Sequence, residues 1–94
     1  MLIPSEGREG FIEALGNPSR LKILAQLWKE GEMRVYRINS STRLGKSCVK
    51  WHLGKLVESE IVVKKVYGQA VLYSINQDHP RFKALLEFFK EAKL

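Results

Sequence analysis

Few residues in this sequence could bind a metal ion, and no more than two of them fall close together. Cys48 and His52 are four positions apart, so on a helix they would share one side. Asp78 and His79 are adjacent. A zinc site needs roughly three or four ligands, and Cys48 is the only cysteine of the chain. We therefore expect no metal and no cofactor.

Catalytic residues are also missing from the sequence. It has no glycine-rich phosphate loop and no pair of carboxylates in an apolar setting. Cys48 lies near Lys46 and Lys50, whose charges would favour a thiolate open to oxidation. The alternative for Cys48 is a small, half-buried packing residue. We expect that the protein is not an enzyme.

The net charge of +6 is concentrated in the middle third of the chain. Residues 34–65 contain eight basic and two acidic side chains, whereas the segments on either side are nearly balanced. A focused basic region in a small domain is typical of proteins that bind a polyanion, because neutralised phosphates release counterions. The alternative is a solvated, lysine-rich face.

Length and hydropathy limit the class of protein further. A chain of 94 residues predicts a single domain over residues 1–94, and a domain of this size leaves much of its surface uncovered. We therefore expect it to pair with a second copy. The apolar runs are too short to cross a bilayer, and the first ten residues lack the apolar segment of a signal peptide. The expected location is the cytoplasm, in association with the nucleoid and without a membrane partner.

Apolar periodicity predicts two helices before the basic region. The first covers Glu9 to Leu15 and ends at Gly16. The second begins with Asn17 as its N-cap and Pro18 at its first position, where the missing amide proton costs nothing. Gly31 is expected to end it.

Two more helices are predicted inside the basic region, separated by a break at residues 42–45. The first, VYRINSST, has weak helix propensity and depends on packing, which is typical of the supporting helix of a helix-turn-helix. The second, KSCVKWHLGKLVE, has one apolar face and one polar face. The apolar face carries Val49, Leu53, Leu56 and Val57, and the polar face carries Ser47, Trp51 and Gly54, flanked by Lys50 and Lys55.

The last third predicts a β-hairpin followed by a helix. β-Branched runs at Ile61 to Val66 and Ala70 to Ile75 flank a short glycine-containing link. Lys64 and Lys65 are expected near the tip of this hairpin. Asp78 or His79 is expected to cap the final helix, with Pro80 near its first position. The fold class is therefore α+β, mostly α.

Two segments resemble the ArsR-type winged helix-turn-helix transcription regulators. EALGNPSRLKILAQL is similar to the start of that domain, and INSSTRLGKSCVKWHLGKLVESEIV to its helix-turn-helix and its entry into the wing. The resemblance spans about residues 10–76. It implies a winged helix with a two-stranded wing, and terminal helices at about 8–15 and 80–93 for dimerisation.

The family pattern also shows where this chain departs from it. Arg43 and Glu60 stand where these proteins often have glycine, at positions that commonly need a left-handed backbone. Either the two residues accept that strain or the turns differ. Metal-sensing members carry paired cysteines on the supporting helix, or Asp and His ligands along the last helix. Neither set is complete here.

The resemblance implies a DNA-binding transcriptional regulator, expected to be a repressor that binds duplex DNA as a homodimer. The reading helix would enter the major groove, and the wing would contact the backbone or the minor groove. The residues predicted to contact DNA are Arg37, Arg43, Lys46, Ser47, Lys50, Trp51, Lys55, Lys64 and Lys65. Those predicted for the dimer interface are Phe11, Ile12, Leu15, Phe82, Leu85, Leu86, Phe88 and Phe89. Alternatives are a sequence-nonspecific chromatin or architectural protein, and a winged helix used for protein or RNA contact.

Trp51 is the least expected residue on the polar face of the reading helix. It lies about 200° around the helix from Val49, so burying it would turn the apolar face away from the core. We expect Trp51 to be exposed and able to contact DNA. The alternative is that its ring folds back over the supporting helix near Arg37 or Ser41.

Overall fold

The computed structural model describes residues 8–92, and describes side chains from Phe11 onward. The elements are α1 (Arg8–Leu15), α2 (Pro18–Glu30), α3 (Val35–Thr42), α4 (Lys46–Glu58), β1 (Val62–Tyr67), β2 (Ala70–Ile75) and α5 (Phe82–Ala92). This order confirms the predicted winged helix-turn-helix and its mostly α composition. Within residues 8–92, no helix is both long and apolar enough to cross a membrane.

Local signals set the ends of α2 as predicted. The side chain of Asn17 accepts a hydrogen bond from the backbone N–H of Arg20 at 3.1 Å, and Pro18 follows as the first helical residue. At the other end, Gly31 has a φ of 83° and donates its N–H to the carbonyl of Leu27. The helix therefore begins and ends at residues with a specific backbone role.

One hydrophobic core joins the helices to the base of the hairpin. The apolar face of α4 packs there with residues of α2, α5 and β1. Its members are Ala14, Ile23, Leu24, Leu27, Met33, Ile38, Val49, Leu53, Leu56, Ile61, Val62, Leu85 and Phe89. Because every helix contributes to this cluster, the core fixes the orientation of α4 relative to the rest of the chain.

Both residues that replace the family's glycines accept a left-handed backbone. Arg43 has a φ of 61° at the end of α3, and Glu60 has a φ of 63° just after α4. At Glu60 the N–H groups of Glu60 and Ile61 donate to the carbonyls of Val57 and Leu56, each at 3.0 Å. This is the Schellman arrangement, with Ile61 buried beside the helix end. The family's turn geometry is therefore kept, at the cost of backbone strain.

The hairpin is antiparallel and has a two-residue turn at Gly68 and Gln69, with Gly68 at a φ of 61°. Tyr67 pairs with Ala70 next to this turn, and Val62 pairs with Ile75 at the base. The segment before α3 holds the outer side of β2. Met33 exchanges two backbone hydrogen bonds of 2.9 Å with Tyr73.

The start of the last helix differs from the prediction. α5 begins at Phe82 and not near residue 80, and its predicted end at residue 93 lies outside the described residues. Asp78 is exposed, and its N–H donates to the side chain of Asn76. His79, the other predicted cap, closes a turn before the helix, because its Nδ1 accepts the N–H of Arg81 and its carbonyl accepts the N–H of Phe82, each at 2.9 Å. The buried His79 ring also stacks on Phe11 of α1, which brings the first helix to the base of the last.

Candidate nucleic-acid interface

The outward face of α4 presents polar, basic and aromatic side chains together. Lys46, Ser47, Lys50 and Trp51 are all exposed, whereas Val49 and its apolar neighbours are buried. This separation follows from the rotation of about 100° per residue along a helix. The first carboxylate on α4 is Glu58, its last residue. The greater part of this face is therefore open to a negatively charged ligand.

The N-terminus of α4 is also open. Gly45 caps the helix without a side-chain hydrogen bond, and the first turn contains no acidic residue. The first N–H groups of a helix have no partner within the helix, and they carry the positive end of its dipole. With Lys46 beside them, these groups suit a phosphate oxygen.

Trp51 is 58% exposed, as predicted. Its ring does not fold over α3 near Arg37 or Ser41. Two cations lie close to it, with the guanidinium carbon of Arg20 5.4 Å and the Nζ of Lys55 5.5 Å from the ring centroid. The edge of the His52 ring meets it at a centroid distance of 5.0 Å. Trp51 is therefore exposed on one side and supported on the other.

The support under Trp51 is a buried polar cluster that the sequence analysis missed. Arg20 is only 5% exposed. Its Nε donates to Nδ1 of His52 at 2.9 Å, and its Nη1 donates to Oε1 of Glu13 at 2.9 Å. One signal was present in the sequence, because Arg20 falls at helical spacing from Ile23, Leu24 and Leu27 on the buried side of α2.

Both histidines are buried, and both have a lowered pKa. Burial lowers the pKa of His52, and the positive charge of Arg20 lowers it further. Burial is also the main cause of the lowered pKa of His79, against opposing contributions from the Ser59 backbone and Glu60. The neutral form suits His52, because its Nδ1 accepts a hydrogen bond from Arg20.

Cys48 and His52 lie one turn apart on α4, as their spacing predicted. Cys48 is half-buried, and Nδ1 of His52 is already bonded to Arg20. Within residues 8–92, no group of three or more His, Cys, Asp or Glu side chains is placed to hold a metal ion. His52 thus belongs to the polar cluster under Trp51.

Of the predicted cations around α4, Arg37 and Arg43 are exposed and Lys55 is half-buried, and two of the three have acidic neighbours. Arg43 projects from the left-handed turn between α3 and α4. Arg37 has a guanidinium nitrogen 4.0 Å from a carboxylate oxygen of Glu30, and Lys55 has the same separation from Glu58. Pairs this loose and exposed are weak and leave the cations able to bind another anion. Tyr36 is a further exposed side chain beside Arg37 that the sequence analysis missed.

The wing arranges its two lysines differently from the prediction, which put both near the tip. Lys64 pairs with Tyr73 and Lys65 with Leu72, so both lie in the middle of β1. Consecutive strand residues point to opposite faces, so the two lysines face apart. Nζ of Lys65 lies 3.7 Å from a carboxylate oxygen of Glu32.

The residues closest to the wing tip are apolar or aromatic. Val66 and Tyr67, the last two residues of β1, are both exposed. Neither side chain is charged, and charge was the signal that predicted the contacts of the wing. Tyr67 directly precedes the turn, so its ring is among the first that a surface facing the tip would meet.

The predicted dimer residues divide into three groups by burial. Leu85 and Phe89 are 3% and 1% exposed and belong to the chain's own core, so little of them is open to a second copy. Ile12 is 58% exposed on α1. The remaining members are half-buried: Phe11, Leu15, Phe82, Leu86 and Phe88. Fewer of the predicted residues are therefore open to a second copy of the chain.

Comparison with known proteins agrees with this geometry. The profile of the family described as "Bacterial regulatory protein, arsR family" matches residues 17–64. Nodulation protein NolR of Rhizobium meliloti is 38% identical over 69 residues, which cover 73% of this chain and 56% of that protein. The chain thus spans little more than half the length of this curated relative.

Two solved structures share the fold and part of the sequence. The transcriptional repressor PagR of Bacillus anthracis superposes with a TM-score of 0.75 at 26% identity, covering 89% of this chain and 93% of that one. A homodimeric winged helix-turn-helix DNA-binding domain, Mb0332 of Mycobacterium bovis, gives 0.74 at 27% identity, covering 90% and 79%. The chain therefore belongs to the arsR family of bacterial regulatory proteins, which is a family of transcriptional regulators and not of enzymes.

Proposed function

We propose that this regulator is a repressor that binds duplex DNA as a homodimer and reads sequence with α4 in the major groove. The observation that carries this proposal is the outward face of α4. Ser47, Lys50 and Trp51 are exposed together there, and the opposite face of the same helix is locked in the core. Repression is supported by the likeness to PagR, whose structure is that of a transcriptional repressor.

Each side chain on α4 would have a distinct role. Ser47 and Lys50 lie within the first five residues of α4, the part of a reading helix that reaches base edges, and both can donate hydrogen bonds. Trp51 offers an apolar ring that can cover a thymine methyl group. Lys46 and the free N–H groups at Gly45 would bind phosphate and fix the register of the helix on the duplex.

The surrounding cations would add affinity without selecting sequence. Arg37, Arg43 and Lys55 are within or beside the helix-turn-helix and suit backbone phosphates. On the wing, Lys64 would contact the backbone or the minor groove, and Lys65 would do so only after leaving Glu32.

A second copy would pair through α1 and α5. Ile12 is exposed, and the half-buried Phe82, Leu86 and Phe88 extend the apolar surface. Mb0332, a homodimer with the same fold, supports the pairing of two copies. Two reading helices would then face successive major grooves, and such a DNA-bound dimer would be found with the nucleoid.

Light scattering at micromolar concentration tests the pairing. Ile12→Glu should convert the dimer to a monomer, because it buries a carboxylate in an apolar contact. Val66→Glu changes an equally exposed apolar residue on the wing and should leave the dimer intact. A wild-type protein that scatters as a monomer would contradict the proposal.

A binding titration separates DNA reading from the other uses of the fold. The protein is titrated against a duplex enriched from a random pool, a scrambled duplex of equal length and a single-stranded RNA, each at several salt concentrations. We expect preference for the enriched duplex by about 10³-fold or more, with affinity falling as salt rises. Equal binding to both duplexes indicates an architectural protein, and preference for the RNA indicates a winged helix used for RNA contact. Either result contradicts sequence selection by α4.

A further inference from the structure

Arg20 is a buried cation that the proposed DNA contacts do not use. Among the described residues, no other Lys, Arg, Asp or Glu is as buried as this one. Burying a charge is costly unless it is paired, and an apolar residue of similar volume often serves stability as well or better. Packing alone therefore does not account for an arginine at this position.

The guanidinium group of Arg20 contacts three other side chains. Nε donates to Nδ1 of His52 and Nη1 to Oε1 of Glu13, each at 2.9 Å. The same guanidinium group lies 5.4 Å from the ring centroid of Trp51. Arginine suits this task because its donors are held in one plane that can also lie against an aromatic ring, which an ammonium group cannot reproduce. One side chain of α2 thus contacts α1 and two consecutive residues of α4.

This contact bears on the DNA-facing side of α4. Trp51 is the largest exposed side chain on that face, and its supported side rests on Arg20 and His52. A ring held in one orientation before binding loses less conformational entropy when it meets a ligand. Glu13 directly follows the exposed Ile12, so the same cluster reaches the helix proposed to pair the two copies.

We propose that Arg20 is a positioning residue of the reading helix. It holds the neutral His52 imidazole and the Trp51 ring in one arrangement, and thereby sets how α4 meets base edges. The proposal rests on the proposed DNA reading by α4, but the arrangement itself can be tested without DNA.

The charged groups around His52 predict how the cluster responds to protonation. Arg20 approaches from α2 and carries Glu13 of α1 on its other nitrogen, while Lys55 of α4 lies against Trp51. Protonation of His52 would place an N–H where Nδ1 now accepts, facing the donor of Arg20. The hydrogen bond between them therefore depends on neutral His52. Its loss should raise the pKa of His52 toward its usual range, because a hydrogen bond to the neutral form and a nearby positive charge both disappear.

The test compares Arg20→Leu with Lys22→Leu, a matched loss of one cation at an exposed position of the same helix. Three quantities are measured: the pKa of His52 by NMR, the ¹⁹F signal of fluorotryptophan at position 51 in a Trp28→Phe background, and the ratio of affinities for enriched and scrambled duplexes. In Arg20→Leu we expect the His52 pKa to rise, the Trp51 signal to shift or broaden, and the ratio to fall roughly tenfold. Lys22→Leu should leave all three unchanged.

A second variant keeps the proposal testable if Arg20→Leu does not fold. Arg20→Lys retains the charge and the aliphatic stem but cannot donate to both partners from one plane. The Trp51 signal and the affinity ratio should therefore change as in Arg20→Leu, whereas the His52 pKa should rise less, because a positive charge remains nearby.

The outcomes separate this proposal from the proposed function. An unchanged His52 pKa and Trp51 signal would overturn the positioning role whatever the DNA results. The proposal would also be overturned if a folded Arg20 variant showed a changed His52 pKa and a changed Trp51 signal but kept the wild-type ratio of affinities for the enriched and scrambled duplexes. Shifted signals in a protein whose wild type shows no duplex preference would support the arrangement and refute the DNA-reading function.

Discussion

The reading helix and the wing are both basic, but they are held in place in different ways. One side of α4 is locked into the core through Val49, Leu53 and Leu56, and its flank is tied to α2 by Arg20. In β1 only Val62 is fully buried, and the strand is exposed from Lys64 to Tyr67. Backbone pairing with β2 and the short bridge at Met33 hold the wing. Side-chain packing therefore fixes the orientation of α4, whereas main-chain hydrogen bonds fix the wing.

That difference suits the two regions to different parts of DNA recognition. Base edges must be met within a fraction of an ångström, which requires a rigid support. Phosphate contacts tolerate more freedom, because they act mainly through charge. We therefore expect changes on α4 to alter selectivity, and changes on the wing to alter affinity for all duplexes alike.

The largest expected effect is on stability, from a change in the core of α4. Leu53→Ala should lower the free energy of unfolding by about 2–5 kcal/mol, because it leaves a cavity among closely packed helices. Val66→Ala on the exposed part of the wing should change it by less than about 0.5 kcal/mol. Urea denaturation at one fixed protein concentration measures both. Equal losses would show that the wing is as tightly packed as the helix.

Lys50→Ala should reduce discrimination between duplexes by about 1–3 kcal/mol at the base pairs that it contacts. The control is Lys83→Ala, which removes one exposed lysine from α5. Both variants are titrated against the enriched duplex and against single-base variants of it. If Lys50→Ala weakens every duplex to the same extent, Lys50 contacts phosphate and the distinction between helix and wing loses its main support.

On the wing, Lys64→Ala should lower affinity for every duplex and reduce the salt dependence by about one unit of slope. Lys65→Ala should do less, because Lys65 already faces Glu32 at 3.7 Å. Glu32→Gln is the complementary variant, and it should strengthen binding by releasing Lys65. The measurement is the slope of log affinity against log salt concentration for each variant. Indistinguishable slopes for the two lysine variants would contradict different roles for the two faces of β1.

The smallest expected effect concerns the turn that joins α4 to the wing. Glu60→Gly should raise the free energy of unfolding by about 0.5–1 kcal/mol, because it removes the strain of a left-handed φ of 63°. Glu58→Gly, in the last turn of α4, should lower stability by about as much. Thermal unfolding of both variants shows whether each change raises or lowers stability. A loss of stability in Glu60→Gly would show that the glutamate side chain contributes more than its backbone costs.

Features that depend on neighbouring residues could be predicted from the sequence. Asn17 and Pro18 begin α2 where predicted, and the hairpin strands agree with the prediction to within one residue at each end. The exposure of Trp51 followed from its angle to Val49 on a single helix. Each of these features depends on residues only a few positions apart, which periodicity and capping rules describe well.

Features that depend on distant contacts could not be read in this way. The bond between Arg20 and His52 joins residues 32 positions apart. Helical spacing could place Arg20 on the buried side of α2, but no local pattern indicates that a histidine is its partner. The start of α5 at Phe82 was missed because a turn precedes it, in which the buried His79 accepts the N–H of Arg81 and stacks on Phe11. The burial of Leu85 and Phe89 depends on how α5 packs against α2, as in the stacking of Phe89 on Trp28. Charge alone did not show that Lys65 has Glu32 as a neighbour.

Selection of binding sites from a random duplex pool tests the central claim most directly. A homodimer that reads DNA with two copies of α4 should enrich an inverted repeat whose half-site centres are about 10 base pairs apart, or a multiple of that spacing. The enriched repeat should then lose its advantage when the pool is selected with a Ser47→Ala, Lys50→Ala protein. Enrichment of no motif, or of the same repeat by the double variant, would contradict the reading of sequence by α4.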